Sequence, residues 1–314
     1  TLSAAKTYDG NALLGSAAVT IATGVGSETL TYSGALANSA NVGSGNYISE
    51  ITLLDGSNGG LASNYQLPTL NSSNAPVTIS KKTVSLIAEK VYDGSTTFTS
   101  LTVDTGVAGQ NLSYSSVTSN DANVVTANKY INAITLADAT DGSGGLIANY
   151  QLPSLLAASA NNQVTITPKT VTFSGTPTRE YNGSSTLDSS LVTVLTGVGS
   201  ETLGMSNVVA NSANVGSGNY IASMTLTNGT GGTASNYQLP TLNATTAPVS
   251  ITAKTVTLSA TKYYDGSTSL SGDQVTISTD VGSETLSYSG ATVNNANAGS
   301  RYINAITLAD GTGL

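Results

Sequence analysis

The sequence predicts an all-β protein made of tandem small domains, and three observations carry that prediction. First, a five-residue phrase occurs four times, as Lys6-Thr7-Tyr8-Asp9-Gly10, Lys90-Val91-Tyr92-Asp93-Gly94, Arg179-Glu180-Tyr181-Asn182-Gly183 and Lys262-Tyr263-Tyr264-Asp265-Gly266. Its tyrosines are 84, 89 and 83 residues apart, too far for solenoid rungs and suited to small domains that carry their own cores. Second, apolar residues alternate with polar ones over short runs separated by Gly- and Asx-rich breaks, the pattern of half-buried strands and turns. Third, no window sustains the three-four apolar spacing of an amphipathic helix, so helix is expected only as a turn or two, around Ala35 to Val42 and its counterparts.

In the second repeat the alternation places strands near Thr83 to Glu89, Leu101 to Thr105, Leu112 to Thr118, Tyr130 to Ala137, Tyr150 to Leu156 and Val164 to Thr167. Equivalents recur in the other repeats. Asp138 to Gly145 and Thr105 to Gln110 are turn chemistry. Tyrosine fills the Tyr-Asp-Gly slot four times, the Tyr47, Tyr130, Tyr220 and Tyr302 slot four times, and the Asn-Tyr-Gln-Leu-Pro slot at Tyr65, Tyr150 and Tyr237. With two Phe and no Trp, tyrosine is expected to be the main large core residue.

The repeats divide the chain into residues 1–80, 81–167, 168–252 and 253–314, the fourth expected to be truncated, because no counterpart of Asn64-Tyr65-Gln66-Leu67-Pro68 follows Asp310-Gly311. One or two residues separate the last run of one repeat from the first run of the next, as at Ile79-Ser80-Lys81-Lys82-Thr83-Val84. Linkers so short, without a Gly/Ser tract, predict a semi-rigid head-to-tail rod, roughly 40 Å per repeat and on the order of 150 Å in all. Both a β-sandwich and a β-grasp-like sheet accommodate six short strands.

Charged residues make up 9% of the 314 and hydrophobic ones 39%. Solubility therefore rests on hydroxyls and amides, and the composition is unlike that of disordered chains. A net charge of −8 without a basic cluster argues against nucleic acid and anionic membrane as partners. No apolar run is long enough to cross a membrane as a helix. With neither His nor Cys, the commonest catalytic bases, nucleophiles and zinc ligands are absent, and no acidic pair recurs in every repeat, so the chain is not expected to be an enzyme.

Comparison between repeats tests each candidate side chain. Asn182 stands where the other repeats carry Asp9, Asp93 and Asp265, which favours a turn-capping acceptor over proton transfer. Gln110 likewise replaces Glu28, Glu201 and Glu284. The Asp-Gly loops make Asp55, Asp138, Asp141 and Asp310 weak calcium candidates, although the third repeat reads Asn228-Gly229-Thr230-Gly231-Gly232, without a carboxylate. No other cofactor is expected.

Five ordered motifs, Lys-x-Tyr-Asp-Gly, Gly-Val-x-x-Glu, Asn-Val-Gly as at Asn41-Val42-Gly43, Asn-Tyr-x-Leu and Ile-Thr-Pro-Lys at Ile166 to Lys169, resemble the YDG-type repeat domains of large secreted bacterial adhesins of the filamentous-haemagglutinin kind, related to MBG repeats. The resemblance covers the whole chain. It implies an extracellular, cell-surface stalk that holds an adhesive tip away from the cell, with neighbouring repeats of the same chain as its partners. Two alternatives remain open: repeats that themselves bind polysaccharide or glycans, and repeats that assemble laterally or end to end into a filament or biofilm matrix fibre.

Overall fold

Alternating burial along the first strand, Leu2–Thr7 (β1), sets the plan of a repeat: Leu2 and Ala4 face inward while Ser3 and Ala5 face solvent. In the computed structural model, which describes residues 1–311, β1 is the middle of a three-stranded sheet. It pairs antiparallel with Val19–Ile21 (β2) and parallel with Val77–Ser80 (β5). Leu30–Ala37 (β3) and Ile48–Asp55 (β4) form an antiparallel hairpin beside it. The second repeat repeats the plan, with Ser85–Val91 between Thr102–Asp104 and Asn162–Thr167, and the Ser113–Ser119/Ile131–Ala137 hairpin extended by Thr97–Phe98. Among the described residues there is no α-helix, so the helix that a β-grasp arrangement requires is missing.

The chain forms two compact units, Thr1–Pro168 and Lys169–Leu314. In the second unit the first strand of the third repeat is split into Thr172–Ser174 and Thr178–Glu180 around Gly175-Thr176-Pro177. Its first part pairs with Thr193–Leu195 and its second runs parallel to Ser250–Thr252. The fourth repeat contributes Thr257–Ala260 paired with Val275–Ser278, and the hairpin Leu286–Val293/Ile303–Asp310.

Each of the four hairpins carries a register shift at the same place, after Ser33, Ser115, Ser206 and Ser289. The next residue, Gly34, Ser116, Asn207 or Gly290, has positive φ. The bulge turns the following side chain inward: Ala35, Val117, Val208 and Ala291 are all buried. In the third repeat Leu187, Val208, Ile221, Met224, Val249 and Ile251 share one core drawn from both sheets, giving two layers over aliphatic side chains.

Tyrosine supplies the large buried side chains in two of its slots, at Tyr8, Tyr92, Tyr150 and Tyr237, whereas Tyr47, Tyr130 and Tyr220 are half-buried and Tyr302 is exposed. A phenol needs an edge where its hydroxyl can bond. The helical turns expected around Ala35 to Val42 and its counterparts lie elsewhere, as 3₁₀ turns at Ala62–Asn64, Ile147–Asn149, Ser189–Leu191, Ala234–Asn236 and Gly272–Gln274. Ala35–Ala37 is strand, and the following loop is held by side chains, with Tyr47 N donating to Asn38 Oδ1 and Asn41 N to Ser39 Oγ, bonds that compete with helix. The strand expected over Tyr150 to Leu156 is only Tyr150–Gln151, since Pro153 cannot donate to a ladder.

Candidate functional site

The Tyr-Asp-Gly phrase folds as one turn at the end of the first strand. The side-chain oxygen of Asp9, Asp93, Asn182 or Asp265 accepts from the backbone N–H two residues on, at 2.9 to 3.2 Å, an Asx turn that an amide makes as well as a carboxylate. The cation three residues earlier closes it. Lys6, Lys90 and Lys262 pair with the Asp at 2.6 to 2.8 Å, and Arg179 Nη1 donates to Asn182 Oδ1 at 2.6 Å. Each cation also donates to the carbonyls five and seven residues ahead: Asn11 and Leu13, Ser95 and Thr97, Ser184 and Thr186, Ser267 and Ser269. The Lys262 ammonium, with the Ser267 amide, holds the Asp265 carboxyl below the usual carboxylate range. Burial works against the same shift at Asp93, but the Lys90 and Ser95 hydrogen bonds outweigh it.

The tyrosine of the turn sits where its repeat ends. Tyr8 N donates to Ser80 O, Tyr92 N to Thr167 O and Tyr181 N to Thr252 O, each at 2.9 Å, and each of these acceptors ends the closing strand of that repeat. The side chains of Tyr8 and Tyr181 then reach into the next repeat of the same unit. Tyr8 Oη donates to Gln110 Oε1 at 3.0 Å, and Tyr150 Oη donates to the same oxygen at 2.6 Å. The Tyr8 and Tyr150 rings meet edge to face with centroids 5.3 Å apart. Tyr181 Oη donates to Glu284 Oε1 at 2.6 Å, and this bond to a carboxylate raises the phenol's pKa.

Glycine completes the contact. Gly10 has φ +86°, and a Cβ there would lie 2.7 Å from Val107 Cγ1; at Gly183, φ +76°, it would lie 2.8 Å from Val281 Cγ1. A second pin joins the first two repeats: Val42 N donates to Asn149 Oδ1 at 2.8 Å, and Asn149 Nδ2 donates to Asn41 Oδ1 at 2.9 Å. Tyr8 and Asn149 are 2% and 1% exposed. The ring of Tyr92 is buried, whereas Tyr264 is 68% exposed, with Gly94 and Gly266 at positive φ beside them. The Tyr-Asp-Gly phrase of one repeat is therefore a plug, and the Gly-Val-x-x-Glu/Gln and Asn-Tyr phrases of the next repeat form its socket.

The calcium candidates hold their own loops. Asp55 Oδ1 accepts from Ala62 N at 2.8 Å and Asp138 Oδ1 from Ile147 N at 2.7 Å, and Asn228 Oδ1 does the same for Ala234 N at 2.8 Å. Asp141 accepts from Asn111 Nδ2 at 2.7 Å and Ser143 N at 3.0 Å, bonds that lower its pKa to about 2. Asp310 ends its strand, exposed. Among the described residues no three acidic groups gather as a metal site would need. Backbone packing shapes these loops instead: a Cβ at Gly60, Gly145 or Gly232 would collide with the carbonyl of Thr29, Asn111 or Thr202. A groove of about 730 Å³ lies between Leu258–Tyr264 and Val293–Ile303.

Sequence reasoning recognised the turn and missed the joint. The glutamate slot looked dispensable because Gln110 replaces it, yet both residues keep the side-chain oxygen that receives the phenol. That shared acceptor was the available signal. Neither curated proteins nor solved structures show a match to this chain. The sequence profile of the YDG domain matches residues 1–74 and 167–247. These two segments span the plug of the first repeat and that of the third, each with its hairpin and Asn-Tyr-Gln-Leu-Pro phrase, and over them the chain is similar to the YDG domain.

Proposed function

We propose that the chain is a spacer: repeats coupled end to end into a semi-rigid stalk of a bacterial cell-surface adhesin, extracellular, projecting an adhesive tip, with the four sequence repeats as its units. The supporting observation is the parallel pairing of first and last strands in each of the first three repeats. Parallel closure brings the chain in at one end of a repeat and out at the other, so each added repeat adds length. Antiparallel closure would return the chain to the end it came from. The plug and socket then stiffen the joint, since Tyr8 and Asn149 pin two repeats at separate points.

Small-angle scattering across a concentration series, with and without a calcium chelator, tests this reading. The spacer predicts a maximum dimension on the order of 150 Å that does not change with chelator. A compact particle, or one that softens on chelation, contradicts it.

A further inference from the structure

The third repeat builds its Tyr-Asp-Gly turn with one charge missing. Lys6, Lys90 and Lys262 each face an aspartate at 2.6 to 2.8 Å, whereas Arg179 faces the neutral amide of Asn182. Among the described residues Arg179 is in no ion pair, and its Nε is buried without a hydrogen-bond partner. We propose that Asn182-Gly183 is a self-modifying site, where loss of ammonia converts Asn182 into the aspartate that the other three repeats carry. This rests on the geometry of the turn and not on the spacer role.

The step needs only the dipeptide and water. The backbone nitrogen of Gly183 attacks Asn182 Cγ, and the new C–N bond closes a cyclic imide. Nδ2 leaves as ammonia and takes the proton of the Gly183 N–H. Water then adds to the imide carbonyl derived from Cγ and breaks its bond to the Gly183 nitrogen, which regains a proton. The result is an aspartate in an unaltered main chain, with water consumed, ammonia released and nothing oxidised or reduced. Opening at the other imide carbonyl would give isoaspartate.

The chain has three Asn-Gly pairs, Asn58-Gly59, Asn182-Gly183 and Asn228-Gly229, and their surroundings differ. Asn182 Oδ1 accepts from Arg179 Nη1 at 2.6 Å and from Ser184 N at 3.1 Å. These donors stabilise the negative charge that develops on the oxygen when its carbonyl is attacked. Among the described residues Gly183 N and Asn182 Nδ2 make no hydrogen bond, and both residues are exposed to water. Asn228 also has a polarised carbonyl, with Ala234 N donating at 2.8 Å, but Gly229 N is engaged by Gly232 O at 3.0 Å. At Asn58 the leaving nitrogen is held by Ser27 O at 3.0 Å. Only Asn182 combines an activated carbonyl with a free nucleophile and a free leaving group. The same donors direct water to the same carbonyl, which favours aspartate over isoaspartate. The new carboxylate then lies against the Arg179 guanidinium, a stronger contact than the amide it replaces.

The test incubates the full chain at mildly alkaline pH, with and without guanidinium chloride. Peptide mapping by mass spectrometry follows amide-to-acid conversion and the ratio of aspartate to isoaspartate at all three pairs. The folded chain should convert Asn182 ahead of Asn58 and Asn228 and give mainly aspartate, and denaturation should abolish both the order and the product preference. Arg179→Met should slow the conversion and shift its product toward isoaspartate. Asn182→Asp should raise the denaturation midpoint above the parent's. An unconverted Asn182, equal rates at the three pairs in the folded chain, isoaspartate as the main product, or an Asn182→Asp midpoint no higher than the parent's would overturn the proposal. The comparison among the three pairs needs no variant, so it decides the question whether or not Arg179→Met folds.

Discussion

The Lys262 ammonium and the Ser267 amide both bind the Asp265 carboxylate, and its lowered pKa has a definite sign in stability. The bonds contribute fully above the ordinary carboxylate range and are lost as pH falls through the lowered folded value. NMR titration of Lys262→Met should show Asp265 titrating at higher pH than in the parent. Tyr181 is the alkaline counterpart: its hydroxyl donates to Glu284, its pKa is raised, and the contribution persists until pH rises through that raised value. Ultraviolet titration of Glu284→Gln should bring one late-ionising phenol back toward the ordinary range. Ser116 occupies the left-handed bulge position that Gly34 and Gly290 fill in other repeats, at φ +56°. Ser116→Gly should raise the stability of its repeat by about 1 kcal/mol in urea denaturation, and no gain would mean that the bulge is not strained.

At the scale of elements, strand type and order follow from alternation, and most strands of the second repeat lie within two residues of where the sequence places them. Pairing does not follow from alternation. Parallel closure joins Leu2–Thr7 to a strand some seventy residues later, and nothing local in either segment encodes that partner. What buries Tyr8 escapes alternation for a related reason. A phenol in an apolar run reads as core, but Tyr8 is buried by the next repeat, which no window around Tyr8 contains. The bonds of Lys90 to Ser95 O and Thr97 O were hidden in the same way, since lysine at a strand end reads as a solvated charge. Lys90→Met should lose those bonds and the Asp93 pair together, lowering stability by about 1 to 3 kcal/mol in denaturant titration; a variant as stable as the parent would show the cation to be incidental.

For the molecule as a whole, the account turns on whether the Tyr-Asp-Gly plug makes neighbouring repeats move together. The distance distribution between spin labels at Ser16→Cys in the first repeat and Thr135→Cys in the second tests this most directly, because both sites are exposed and the chain has no other cysteine. The account predicts one narrow distance in the labelled parent and clear broadening when Tyr8→Ala and Asn149→Ala remove both pins, with secondary structure retained. A broad distribution in the parent, or a narrow one that survives the loss of both pins, would contradict it.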